Sequence, residues 1–105
     1  MELIIPDSIA EKIWSKNNRR ISRDDVWRAW EIFLNADERF SIFDSRPEHD
    51  TWPPTEWILV KFNSEVIELI FIVDDEDDVA YLKTAFYVDQ RTIKAYKNEK
   101  GIIYG

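Results

Sequence analysis

The hydrophobic period of this chain changes once, near residue 39, and that change constrains the fold more than any other feature. Before it, apolar side chains recur at helical spacing; after it, they alternate. Helices followed by a run of strands predict an α+β domain rather than alternating βα units. The spacing of Ile9, Ala10, Ile13 and Trp14 predicts a first helix over Pro6–Lys16, with proline tolerated in the first turn. A second helix is signalled more fully. Ser22 followed by Asp25 resembles a capping box, Ile21 and Val26 sit where a hydrophobic staple closes, and Val26, Trp30, Phe33 and Leu34 form a stripe ending at Asn35.

Beyond the switch, Arg39–Asp44, Glu56–Phe62, Glu65–Val73 and Val79–Val88 read as strands. Asn63-Ser64 makes a tight turn, and the proline-rich stretch Ser45–Thr55 makes a loop. Asp89 can cap a last helix through Asn98, with Ile93 and Tyr96 facing inward. No repeat or linker divides the chain. The expected architecture is one domain, residues 1–105, with two N-terminal helices, a four-stranded antiparallel β-sheet and a C-terminal helix.

At 105 residues, 45% hydrophobic and 33% charged, the chain can build one core without a staple. It has no cysteine and a single histidine, which excludes disulfides, thiolate nucleophiles and Cys- or His-rich metal sites. The longest apolar run, Leu69 to Val73, is too short to span a bilayer. Met1-Glu2-Leu3-Ile4-Ile5-Pro6 lacks the basic start and cleavage site of a signal peptide, and together with the missing cysteine this predicts a cytoplasmic protein.

The net charge of −7 argues against a phosphate-rich partner, but its distribution is uneven. Asp74-Asp75-Glu76-Asp77-Asp78 holds five of the acids, whereas residues 79–105 carry five bases and two acids. That acidic run lacks the glycine and the spacing of a calcium-binding loop. It reads as a solvated hairpin tip, or as a docking point for a basic protein partner.

Two segments carry candidate chemistry. Ser45–Thr55 gathers Arg46, the lone His49 and several hydroxyl and acidic groups beside Pro53-Pro54. The plainer reading is a solvated connection whose prolines stop strand pairing. In Val79–Val88, strict alternation puts Tyr81, Lys83 and Tyr87 on one face and Leu82, Phe86 and Val88 on the other. A cation between two phenols suits an anionic ligand or stacked bases, although an ordinary wet sheet face has the same composition. The five tryptophans (14, 27, 30, 52, 57) read mostly as core, with Trp52 and Trp57, which flank the prolines, the ones placed for exposure. Glycine-rich phosphate loops, a Ser–His–Asp order and HExxH are all absent, so metal-free chemistry by His, Lys, Arg and Tyr is what remains open.

Arg46-Pro47-Glu48-His49-Asp50-Thr51-Trp52-Pro53-Pro54-Thr55-Glu56-Trp57 and Tyr81-Leu82-Lys83-Thr84-Ala85-Phe86-Tyr87 together resemble small bacterial proteins with an "EH…PPT.W" loop and an "LKTAY" strand. Those proteins often carry the name ADP-ribosyl-(dinitrogen reductase) hydrolase and resemble the BrnT toxins, and through them the RelE-type ribonucleases. The paired carboxylate motif of a two-metal ADP-ribosyl hydrolase is missing. The resemblance covers residues 3–98 and implies a RelE/BrnT-like domain acting as a metal-independent, cofactor-free endoribonuclease, neutralised by a cognate antitoxin. It makes His49 the general acid or base, Arg46 the phosphate clamp and Lys83 the charge stabiliser. Thr84 becomes a hydrogen-bonding group, and Tyr81 and Tyr87, by alternation, surfaces for stacking bases. Alternation sends Lys83 and Thr84 to opposite faces unless a bulge intervenes. Phe86 stands where the family strand has tyrosine. The alternative reading is a non-catalytic acidic module, of immunity or antitoxin type, that binds a basic protein.

Overall fold

A computed structural model of the chain describes residues 1–16, 21–36, 42–43, 55–88 and 102–104. Strand β1 (Glu2–Ile4) leads into helix α1 (Asp7–Ala10), which widens into a π-helical segment over Glu11–Lys16. Helix α2 (Arg23–Asn35) follows, and then come β2 (Ile42–Phe43), β3 (Thr55–Phe62), β4 (Glu65–Asp74), β5 (Val79–Tyr87) and β6 (Ile102–Tyr104). The chain is therefore α+β, as the period switch predicts.

Local chemistry accounts for the helices. Ser22 adopts an extended backbone, its hydroxyl accepts from the Asp25 amide at 3.0 Å, and its own amide donates to the Asp25 carboxylate at 3.2 Å. This reciprocal box satisfies two donors that a helix start leaves open, and Asp24 and Asp25 suit the positive end of the helix dipole. Val26, Ala29, Trp30 and Phe33 then recur at three- and four-residue steps and are buried, while Ile21 and Val26 close the staple inside the same core. Pro6 precedes the first helix rather than entering it, and its carbonyl accepts from Ile9 and Ala10. Ile13 is fully buried, and Trp14 is tied to the second helix's approach by an indole N–H donated to the Ile21 carbonyl at 2.8 Å.

The sheet has six strands in the order β1-β5-β4-β3-β2, with β6 also on β3. Strands β2 to β5 form the expected antiparallel meander. Asn63 and Ser64, with φ of 51° and 64°, make the two-residue turn between β3 and β4; two left-handed residues match the twist of the flanking strands. The expected four-stranded antiparallel sheet is corrected to a six-stranded mixed one. β1 pairs parallel with β5, and β6 pairs parallel with β3 beyond the point where β2 pairs antiparallel with it. Each added strand has three residues, too few to show a period, and each is recruited by an edge whose backbone groups need partners. The expected C-terminal helix over Asp89–Asn98 lies outside the described residues, and the last described element is β6.

The helices cover one face of the sheet. There Trp30, Phe33 and Phe71 pack as an aromatic cluster with ring centroids 5.2 to 6.1 Å apart, over Ile58, Val60, Ile67, Leu69, Ala80 and Leu82. The opposite face carries a smaller cluster of Leu59, Val66 and Val88, with Trp57, Phe86 and Ile102 against it.

Candidate functional site on strand β5

β5 does not alternate along its whole length. Leu82 lies opposite Phe71 and Thr84 opposite Ile70, so Lys83 is an inserted residue, a β-bulge. The insertion reverses the parity of everything after it. Ala80 and Leu82 enter the helix-side core, and so do Ala85 and Tyr87, three and five residues beyond Leu82. Tyr81, Thr84, Phe86 and Val88 take the other face, as their partners Ile72, Ile70, Glu68 and Val66 on unbulged β4 require.

The alternation over Tyr81, Lys83 and Tyr87 is thereby corrected. Tyr81, 36% exposed, stays on the face away from the helices. Tyr87 does not join it; its ring packs against the helix-side core and its hydroxyl donates to Asp25 Oδ2 at 2.5 Å. Phe86 and Val88, expected to share a face with Leu82, lie on the opposite one. Conversely, the bulge brings Lys83 and Thr84 together against the single residue Ile70, where a regular strand would have separated them. Lys83 is exposed and Thr84 half-buried. Among the described residues no carboxylate pairs with Lys83. Arg46 and His49 lie outside the described residues, and so does the approach of His49 to Lys83.

The hydrogen bond from Tyr87 is the main reason that the Asp25 carboxyl is held below its ordinary value, with the Ser22 amide and hydroxyl adding to it against partial desolvation. A second titratable group went unnoticed in the sequence. Glu68 sits in the middle of β4, on the face away from the helices, with Leu59 and Phe86 as its cross-strand neighbours. It is 6% exposed, and burial pushes its carboxyl up to about 7. The signal was a lone acid inside Val66-Ile67-Glu68-Leu69-Ile70-Phe71, where both faces of the strand are otherwise apolar.

The acidic run forms the β4–β5 hairpin tip. Asp74 Oδ1 accepts from the amides of Glu76 and Asp77 at 3.1 and 3.3 Å, and Asp78 turns left-handed at φ 53°. Asp78 Oδ2 lies 3.6 Å from the Met1 ammonium, so two of the five acids serve the turn and the neighbouring strand. Among the described residues no group of three or more His, Asp or Glu side chains is placed to hold a metal ion, and no helix is long and apolar enough to cross a membrane.

No family model, curated protein or solved structure matches the chain.

Proposed function

We propose that this chain is a toxin-like, metal-independent endoribonuclease of the RelE/BrnT class, acting in the cytoplasm and restrained by a cognate antitoxin. The observation that supports this reading best is the bulge at Lys83. It puts the exposed Lys83 and its neighbour Thr84 opposite the single residue Ile70, on the strand that carries the exposed Tyr81.

The reaction needs no group beyond those of the chain. A base removes the ribose 2′-OH proton, and the oxygen attacks the adjacent phosphorus. The bond from phosphorus to the 5′-oxygen breaks, and that oxygen is protonated as it leaves. The products are a 2′,3′-cyclic phosphate and a 5′-hydroxyl. Lys83 stabilises the charge that builds on the non-bridging oxygens, and Thr84 donates a hydrogen bond to one of them. Tyr81 offers a ring on which a base can stack. His49 serves as the acid or base, since an imidazole of pKa about 6.5 supplies both forms near neutrality, and Arg46 clamps the phosphate. Tyr87 is left out of this set because its hydroxyl is committed to Asp25 on the far side of the sheet.

The test is incubation of the purified chain with a labelled RNA in EDTA, with product ends identified by mass. Cleavage leaving 2′,3′-cyclic phosphate ends is expected, falling about a hundredfold in Lys83→Ala, the typical effect of removing one transition-state donor. Intact RNA, or cleavage indifferent to Lys83→Ala and His49→Ala, would refute the reading.

A further inference from the structure

On the other side of the molecule, α2 carries a feature that RNA cleavage does not use. Burying Val26, Ala29, Trp30 and Phe33 turns Asp24, Trp27, Arg28 and Glu31 outward as one stripe at helical spacing. Trp27, expected in the core, is 45% exposed. It lies in an open groove of about 500 Å³ between α2 and the β3–β4 turn, with Asp24, Asp25, Arg28 and Glu31 along it and Phe62 in its wall.

The groove's chemistry selects its occupant. Among the described residues that line it, three carboxylates face one guanidinium, and their summed field is negative and disfavours phosphate, whether of RNA or of lipid. Asp25 is occupied by Tyr87 and Ser22. Asp24 and Glu31, one turn on either side of Arg28, make no ion pair with it or with any other described residue, although such spacings commonly pair on helices. Two carboxylates with no ion-pair partner among the described residues, flanking an exposed indole, match a guanidinium, which stacks on the ring and donates in a fork to a carboxylate. An ammonium ligand of small size would need an enclosing cage, and this groove is open.

We infer that the groove between α2 and the β3–β4 turn docks an arginine-bearing, basic segment of a partner protein. The inference is independent of RNA cleavage, and it places the surface for a basic partner on α2 rather than at the Asp74–Asp78 tip.

The probe is an acetylated octapeptide alternating arginine and glycine, titrated into ¹⁵N-labelled full chain at 150 mM salt. The Trp27 indole cross-peak is assigned by its loss in Trp27→Phe. That cross-peak should move on titration, and affinity should fall at least tenfold in the double variant Asp24→Asn, Glu31→Gln. The triple variant Asp75→Asn, Glu76→Gln, Asp77→Asn should bind within twofold of the parent. Circular dichroism checks that each variant is folded. Binding lost in the tip variant but kept in the groove variant would overturn the inference, as would a stationary Trp27 signal. A dimer seen by sedimentation without peptide and abolished by Trp27→Ala would overturn it too, assigning the groove to a second copy. RNA cleavage is not a readout, so failure here leaves the nuclease reading standing.

Discussion

The Tyr87 hydroxyl donates to Asp25 Oδ2 at 2.5 Å, joining the end of β5 to the first turn of α2 across sixty-two residues of sequence. The same carboxylate closes the capping box with Ser22, so one side chain both starts the helix and fastens it to the sheet. Tyr87→Phe should cost about 1.5 kcal/mol at pH 7, the lower end of the range for a hydrogen bond to a charged group, because the pair is only partly buried. Because the folded Asp25 carboxyl is held below its ordinary value of 3.8, this contribution is present above that value and lost as pH falls through the folded one. Urea unfolding of parent and variant should therefore converge on strong acidification; a gap independent of pH would contradict the linkage.

Glu68 behaves in the opposite sense. Its folded carboxyl titrates near 7 against an ordinary 4.5, so stability is fully present below 4.5 and is lost as pH rises through 7. The loss is on the order of 3 kcal/mol by pH 8. Glu68→Gln removes the ionisation and should gain on the parent by an amount that grows from pH 5 to pH 8. Denaturation curves at those two values check it, and an unchanged difference between the proteins would rule it out.

Lys83 is exposed and inserted, so its side chain contributes little to folding. Lys83→Ala should unfold within about 0.5 kcal/mol of the parent, as remote surface substitutions do, while RNA cleavage falls about a hundredfold. Deleting Lys83 altogether leaves a regular ladder in which Leu82, Ala85 and Tyr87 keep their faces. That deletion should also fold, with cleavage lost. Thermal melts and the RNA assay together separate a chemical role from a structural one.

Ser64 holds φ at 64° without being glycine. Ser64→Gly relieves the left-handed penalty and should stabilise the hairpin by about 0.5–1 kcal/mol. A shift of the thermal midpoint upward is the expected result, and a downward shift would show that the hydroxyl matters more than the backbone.

The long elements were legible because each repeats its own evidence. α2 announces its start at Ser22 and Asp25 and confirms it at Val26, Trp30 and Phe33; β3 and β4 announce their hairpin at Asn63-Ser64. β1 and β6 were not legible, since three residues define no period and their pairing is decided by distant edges. Strict alternation failed within β5 because one inserted residue, invisible in composition, exchanges the faces of Tyr87 and Phe86. Alternation sends Lys83 and Thr84 to opposite faces, and only the bulge, which sets both against Ile70, removes that separation. The exposure of Trp27 could have been read from the α2 stripe, where it falls outside the positions that pack.

The outer edge of β3 is shared by β2 and β6, which run in opposite directions along it. A strand arriving from another molecule would meet antiparallel hydrogen-bond polarity over one half and parallel polarity over the other. The two covering strands are only two and three residues long, and edges that short offer little ladder for the edge-to-edge sheet growth that drives fibre formation.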